Sequence, residues 1–333
     1  MINLSRNKIK ILKKESAHLI RKRVLGFWKR KTPIGDKYPY QVHDSFEVLG
    51  EDSGYENFYL VGDSWLNNKN KPIVIVIGCN DWKFGFIANY LPDYRVAFSS
   101  RKTVGLKCVR LLFKIENSYK KIFIWGYNET TLLRWYLKNK IVCRIEDGFI
   151  RSSELGASHA TPYSLVFDKK GLYYNPNESD ILDLLNSDDY IHDREFLNAA
   201  KSKLETILDL EISKYNPPSA SQHTSLGIKL KKRVAILGQV DADAAIKYGN
   251  PDNWSVEDII KLAKYENPDA EIIYRPHPEI YKKYQKSKFK RKRIEFFAKI
   301  SSPDEPLPEF FKTIDHVYVI NSLTGLEALL RGI

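Results

Sequence analysis

The residues of this chain that could do chemistry gather in four short runs, each placed after or between apolar stretches. The first is Glu146-Asp147-Gly148-Phe149-Ile150-Arg151. A carboxylate at the end of an apolar strand loses hydration, so its pKa rises and it can serve as general base or general acid. Arg151 could grip a substrate carboxylate through two parallel hydrogen bonds. A plainer role also fits: Glu146 or Asp147 caps the next helix and pairs with Arg151. The second run is Gly238-Gln239-Val240-Asp241-Ala242-Asp243. Asp-x-Asp is one way a sugar-nucleotide enzyme holds a metal. An aspartate here could instead attack an anomeric carbon and form a covalent intermediate, or simply cap a turn or helix.

The third run is Tyr274-Arg275-Pro276-His277-Pro278-Glu279. Prolines on both sides fix the backbone and the direction of the imidazole. His277 could then donate to a phosphate and stabilise charge on a leaving group, or be a structural histidine. The fourth is Asn321-Ser322-Leu323-Thr324-Gly325-Leu326-Glu327, joining a strand to a helix. Free N–H groups at a helix start suit a phosphate, and Glu327, about one turn in, could accept from ribose hydroxyls. Alternatively Ser322 caps the helix and Glu327 complements its dipole.

These runs need elements to hold them. Pro72–Gly78, Lys121–Gly126 and Lys140–Ile145 are β-branched or apolar runs of the kind buried on both faces of a parallel sheet. A helix is expected over Glu129–Lys138. The pattern is an open α/β sheet, with ligands at the carboxyl ends of its strands. The polar stretch Ser213–Leu226, with Pro217-Pro218, reads as a linker. A second α/β pattern follows: strands Arg233–Leu237, Glu271–Tyr274 and His316–Ile320, and helices Val256–Tyr265 and Thr324–Leu330. The boundaries are therefore 1–31 for a basic segment, 45–215 for a first domain and 216–333 for a second.

A length of 333 residues suits two domains. No apolar run reaches the roughly 18 residues of a membrane span, and no secretory signal stands at the start; a cytoplasmic protein is expected. Three widely spaced cysteines, Cys79, Cys108 and Cys143, read as buried small apolar residues rather than a disulfide or metal framework. The net charge is +12, and residues 1–31 carry seven Lys and four Arg against one Glu. Ile9, Leu12, Leu19, Ile20, Val24, Phe27 and Trp28 fall near helical spacing among these cations. Such a helix can lie on an anionic membrane surface, pack on its own domain, or bind nucleic acid. Lys282–Arg293 holds eight basic residues, a solvated face or an attractor for a polyanion.

Together the runs Glu-Asp-Gly-Phe-x-Arg-Ser, Gly-Gln-Val-x-x-Asp-Ala, Arg-Pro-His-Pro and Ser-x-x-Gly-x-Glu-Ala-Leu-Leu resemble the capsule polysaccharide biosynthesis proteins, in particular the KpsC-type retaining β-Kdo glycosyltransferases. Leu155-Gly156, Pro162–Asp168 and Gly171–Tyr174 follow the same family, and the likeness spans roughly 70 to 333. It implies an α/β, GT-B-like fold of two Rossmann-like domains facing a central cleft. It implies transfer of Kdo from CMP-β-Kdo to a glycolipid or oligosaccharide acceptor, with no metal or cofactor and no nucleic-acid partner. By this resemblance Asp243 is the nucleophile and Glu146, beside Asp147, is the acid/base. His277 and Ser322 meet the CMP phosphate, Glu327 holds the ribose, Gln239 and Arg151 lie near the sugar, and Thr324 and Arg275 complete the donor-binding set. The setting would be the cytoplasmic face of the inner membrane, reached through residues 1–31. Leu326 stands where the family has Phe, and Asn321 where it has Thr. The family's Gly-x-Pro-Phe-Tyr-x-Gly-Trp-Gly segment would follow residue 333, which marks the second domain as incomplete. Two other readings are a sialic acid or metal-dependent UDP-sugar transferase using Asp241 and Asp243, and a non-catalytic module docking polysaccharide or membrane.

Overall fold

Ile73–Ile77 is an unbroken β-branched run, and all five residues are buried, as a strand covered on both faces requires. It is the central strand, β3, of a seven-stranded sheet in a computed structural model that describes residues 40–51, 53–103, 105–217, 226–281 and 291–333. The other strands are β1 (Val42–His43), β2 (Tyr59–Val61), β4 (Arg95–Phe98), β5 (Lys121–Trp125), β6 (Val142–Asp147) and β7 (Leu165–Asp168), in the order β1-β2-β4-β3-β5-β6-β7. The middle four, β4-β3-β5-β6, run parallel. The flanking pairs β1–β2, β2–β4 and β6–β7 are antiparallel. Alternate residues divide between two cores. Ile73, Ile75 and Ile77 meet Cys108, Leu111 and Leu112 of the helix Leu106–Lys114 and Leu133 and Leu137 of the helix Thr131–Leu137. Val74 and Val76 meet Phe84 and Ile87 of the helix Phe84–Asn89. All three cysteines are buried and free.

A second, four-stranded sheet contains β8 (Arg233–Leu237), β9 (Glu271–Arg275), β10 (Lys299–Ile300) and β11 (His316–Tyr318), ordered β10-β9-β8-β11 and parallel throughout. Val234, Ile236 and Ile272 pack on Ile259, Ile260 and Ala263 of the helix Val256–Glu266. Ala235, Leu237 and Ile273 pack on Phe310, Phe311 and Ala328 from the opposite side. Both sheets are thus helix-covered α/β layers with their loops at the carboxyl ends of the parallel strands.

The helix expected over Glu129–Lys138 is Thr131–Leu137, the strand expected to reach Ile320 stops at Tyr318, and one further shift bears on the site. The strand expected to stop at Ile145 continues to Asp147, because β7 pairs with its last residues, Glu146 opposite Val166 and Asp147 opposite Leu165. Both carboxylates therefore sit on a strand and are held by its ladder. Among the described residues no helix is long and apolar enough to cross a membrane. The amphipathic segment 1–31 and residues 282–290 of the basic run lie outside the described residues. At the end of that run, Arg291 pairs with Glu295 and Arg293 with Glu257.

Candidate active site

At the carboxyl end of β6, Glu146 Oε1 accepts from the Asp147 N–H at 3.0 Å and Oε2 accepts from the Tyr174 hydroxyl at 3.5 Å. Burial pushes the Glu146 carboxyl up to about 7; the charges of Asp147 and, more weakly, Asp243 of the other half add to the rise. Asp147 is turned the other way. Its Oδ2 accepts from Arg151 Nε at 2.9 Å, and Lys83 Nζ lies 3.7 Å from its Oδ1. Arg151 is 1% exposed and also donates to Ser152 Oγ at 2.7 Å and the Ala160 carbonyl at 3.2 Å. Of the two roles open to it, the structure contains the pairing with Asp147.

Lys83 is a site residue that the sequence did not single out. It ends the 3-10 turn Asp81–Lys83 just after β3 and is 7% exposed. Its ammonium sits 3.4 Å from the Trp125 ring centroid and 4.8 Å from that of Trp82. Burial pulls its pKa below the ordinary lysine value, while Asp147 and Glu146 act against that shift. A cation over an aromatic face and beside carboxylates keeps its charge at lower cost than one buried alone.

On the second sheet, Asp243 caps the helix Ala244–Gly249. Its Oδ1 accepts from the Ala245 N–H at 3.0 Å, and its side chain is exposed. One oxygen is fixed by the cap, and the side chain is open to solvent. Gln239 is buried and exchanges hydrogen bonds with Asn321: Nε2 donates to Asn321 Oδ1 at 2.6 Å, and Oε1 accepts from the Asn321 N–H at 3.0 Å. This ties the end of β8 to the turn that carries Ser322. The Ser322 hydroxyl caps the helix Leu323–Leu329, accepting from the Thr324 N–H at 3.3 Å and lying 3.1 Å from Thr324 Oγ1.

His277 Nδ1 accepts from the Glu279 N–H at 3.2 Å, which leaves the proton of the neutral ring on Nε2. Burial lowers its pKa to about 4, with the charge of Lys214 adding and that of Asp243 opposing. The imidazole is therefore a neutral N–H donor near pH 7, not a cation. Arg275 points away from this group; it is buried and donates to the carbonyls of Ser302 at 3.2 Å, Pro303 at 3.3 Å and Glu305.

The two sheets are joined by residues 212–216. The Lys214 carbonyl accepts from the N–H groups of Arg151 at 3.0 Å and Ser152 at 3.2 Å, and the Asn216 N–H donates to the Ser152 carbonyl at 3.1 Å. On the other side, buried Glu327 accepts from Ser213 Oγ at 2.7 Å and from the Lys214 N–H at 3.3 Å. Arg331 Nη2 donates to the Ile212 carbonyl at 2.8 Å. Glu327 thus holds the junction. The Tyr127 and Tyr248 rings, one from each half, meet at a tilt of 33° with centroids 4.4 Å apart.

The Lys214 side chain shares the field of Tyr215, Asp147, Asp243 and Glu146, and their charges hold its pKa above the ordinary value although burial acts the other way. It is the second site residue that sequence reasoning missed, hidden in a stretch that reads as a linker. Glu146, Asp147 and Asp243 thus form one electrostatic group with His277 and Lys214, drawn from both sheets and their connection. Arg151, Arg275 and Glu327 serve as its scaffold. A hollow of about 460 Å³ lined by Lys231, Lys232 and Asn267–Ala270 lies elsewhere, where β8 and β9 begin.

The sequence profile of the capsule polysaccharide biosynthesis protein family matches residues 120–216 and 179–333. The lipopolysaccharide-processing protein LpsZ of Rhizobium meliloti is 34% identical over 282 residues, which are 84% of this chain and 64% of LpsZ. The capsule polysaccharide modification protein LipA of Neisseria meningitidis serogroup B is 30% identical over 277 residues, 82% of this chain and 38% of LipA. The chain therefore spans less than two thirds of the length of either relative. Among solved structures, Thermosulfurimonas dismutans KpsC, beta Kdo 2,4 transferase, aligns with a TM-score of 0.61 at 23% identity, over 79% of this chain and 78% of that one. Thermosulfurimonas dismutans KpsC, beta Kdo 2,7 transferase, aligns with a TM-score of 0.57 at 26% identity, over 78% and 76%. The α/β, GT-B-like architecture expected from the sequence is the one these proteins share. On the family match from residue 120 to residue 333, this chain belongs to the capsule polysaccharide biosynthesis proteins.

Proposed function

We propose that the chain is a retaining glycosyltransferase that moves Kdo, or a closely similar acidic sugar, from its CMP-activated form to a glycolipid or oligosaccharide acceptor. The observation that carries this reading is the Glu146 carboxyl at the end of β6, raised to about 7 by burial first, then by the charge of Asp147 and, least, by that of Asp243 on the other half. A carboxyl raised to about 7 beside a second carboxylate suits a double displacement. The Kdo transferases among the solved structures supply the substrate class.

In the first step a carboxylate oxygen of Asp243 attacks the anomeric carbon, a C–O bond forms to the enzyme, and the bond to the phosphate oxygen breaks with its electron pair, releasing CMP. His277 Nε2–H and the hydroxyls of Ser322 and Thr324 bind the departing phosphate. In the second step Glu146 takes the proton of an acceptor hydroxyl. The hydroxyl oxygen attacks the same carbon, and the Asp243 carboxylate leaves. Two inversions give net retention. A general base with a pKa of about 7 is matched to neutral pH. The excess of cations in residues 1–31 supports action at the anionic cytoplasmic face of a membrane.

Intact-mass measurement after incubation with CMP-Kdo tests the reading. One added Kdo residue, mapped to Asp243 and absent from Asp243→Ala, is the expected result. Release of CMP by Asp243→Ala at the wild-type rate would refute the assigned nucleophile.

A further inference from the structure

The helices Leu106–Lys114 and Thr131–Leu137 cover the same face of the seven-stranded sheet. Their buried Cys108, Leu111, Leu112, Leu133 and Leu137 pack into one core with Ile73, Ile75 and Ile77. They lie side by side and are tied at both ends. A Cβ on Gly105, just before the first helix, would come within 3.5 Å of Oγ1 of Thr130, the N-cap of the second. Beyond their far ends Glu116 and Lys140 form an ion pair. The side chains that the two helices turn away from the sheet therefore share one surface.

That surface is apolar and cationic at once. Phe113 is 69% exposed, Trp135 73% and Leu106 52%. Leu106, Arg110 and Phe113 follow one another at spacings of four and three, as do Leu132, Trp135 and Lys138 at three and three, so each helix interleaves rings or aliphatic groups with a cation along one stripe. Arg110, Lys114 and Lys138 are exposed. Residues 105–115 and 130–141 contain no Asp or Glu. The acids that border the helices are engaged, Glu116 by Lys140 and Glu129 by Arg134 and Arg144. Large rings left in water beside long cationic side chains suit a headgroup layer, where the rings take the apolar boundary and the cations reach phosphates. Residues 1–31 are themselves strongly cationic, so charge opposes their covering this surface and favours one anionic partner for both.

We infer that the outer face of these two helices is a docking surface for an anionic lipid bilayer, with Phe113 and Trp135 entering the headgroup region and Arg110, Lys114 and Lys138 meeting lipid phosphates. This deepens the membrane setting proposed from residues 1–31, and rests on it, by giving the folded body a contact of its own. Both helices follow parallel strands and start at the end of the sheet that carries Glu146 and Asp147, so the docking surface begins at the end where the candidate site lies.

Co-sedimentation of the full chain with vesicles of phosphatidylcholine, with and without phosphatidylglycerol, tests this. Wild type is expected to bind the vesicles that contain phosphatidylglycerol. The double variant Arg110→Gln, Lys138→Gln is expected to weaken that binding about fivefold for each charge removed. Phe113→Ser with Trp135→Ser is expected to weaken it by about 10- to 100-fold. Both keep the wild-type thermal midpoint, because the substituted side chains are exposed. Phosphatidylglycerol brominated in its acyl chains gives a local readout: the emission lost on going from wild type to Trp135→Phe is expected to be quenched. If wild type binds, both double variants bind as tightly and that emission is not quenched, this surface is refuted while the reading of residues 1–31 stands. If wild type binds no vesicle, both fall. Binding to soluble dextran sulfate without binding to vesicles overturns the inference in favour of a polyanionic polysaccharide.

Discussion

Ser213 and Glu327, separated by 114 positions in the chain, share a buried hydrogen bond of 2.7 Å that fastens the segment between the sheets to the last helix described. The same carboxylate accepts the Lys214 N–H at 3.3 Å. Truncating Glu327 to Ala leaves a buried hydroxyl and a backbone N–H without their acceptor. A loss of about 1–3 kcal/mol is expected, read as a lower urea midpoint at an unchanged slope. Glu327→Gln keeps an acceptor oxygen and is expected to lose less.

Glu146 gives stability a pH dependence. Folding raises its pKa from 4.5 to about 7, so the stability it contributes is full below 4.5 and is lost as pH rises through about 7. The swing is on the order of 1–3 kcal/mol. Thermal melts of wild type between pH 5 and pH 8 are expected to show this decline, and Glu146→Gln to flatten it.

The same group sets a limb of the rate profile. Transfer to the acceptor needs ionised Glu146, so turnover is expected to fall roughly tenfold per pH unit below its pKa. Glu146→Gln is expected to retain CMP release and accumulate the sugar–enzyme adduct. A rate independent of pH from 5 to 8 in wild type, with chemistry limiting, would exclude Glu146 as the base.

Lys83 connects to that profile. Its charge lowers the Glu146 pKa, and its ammonium rests on the Trp125 ring at 3.4 Å. Lys83→Met is expected to cost about 1–3 kcal/mol of stability. It is also expected to move the acidic limb of the rate profile upward, because Glu146 loses a nearby positive charge. A stability loss with an unmoved limb would leave Lys83 a packing role only.

Tyr248 tests the contact between the halves. Its ring lies tilted against Tyr127 with centroids 4.4 Å apart, and Tyr127 in turn accepts from the Leu172 N–H at 3.0 Å. Tyr248→Ala is expected to lose about 0.5–1.5 kcal/mol beyond the lost burial, whereas Tyr248→Phe keeps the ring contact, gives up only the hydroxyl's bond with Arg134, and loses less in thermal melts.

Strands β3, β5, β8 and β9 were legible because a strand covered on both faces must be apolar along its length, and Ile73–Ile77 is the plainest case. Strands β2, with three residues, and β7, which ends in buried Asp168, give no such run. They are strands because a neighbour offers a ladder. The helix Arg194–Asp209 buries none of its residues and so sends a weak apolar signal. At the site, Glu146, Asp243 and His277 stood out because each follows or ends a recognisable strand. Lys83 and Lys214 did not. Lys83 sits in a turn that reads as surface until Trp125, 42 positions later, is folded over it, and Lys214 lies in a polar, proline-containing stretch. Arg151 and Arg275 look like ligand-binding groups in one dimension. Their partners are a neighbouring carboxylate and backbone carbonyls, which sequence alone does not pair.

The two-sided grip on residues 212–216 bears on how variants of this protein can be recombined. A crossover placed just after Tyr215 would join a junction from one parent to Glu327 and Arg331 of another, although those side chains fit a particular path of the Ile212–Lys214 backbone. Chimeras with relatives are therefore inherited as a linked set, with the five junction residues, Glu327 and Arg331 drawn from the same parent. A library scored for soluble expression would register that linkage as co-selection between positions more than 100 apart in the chain.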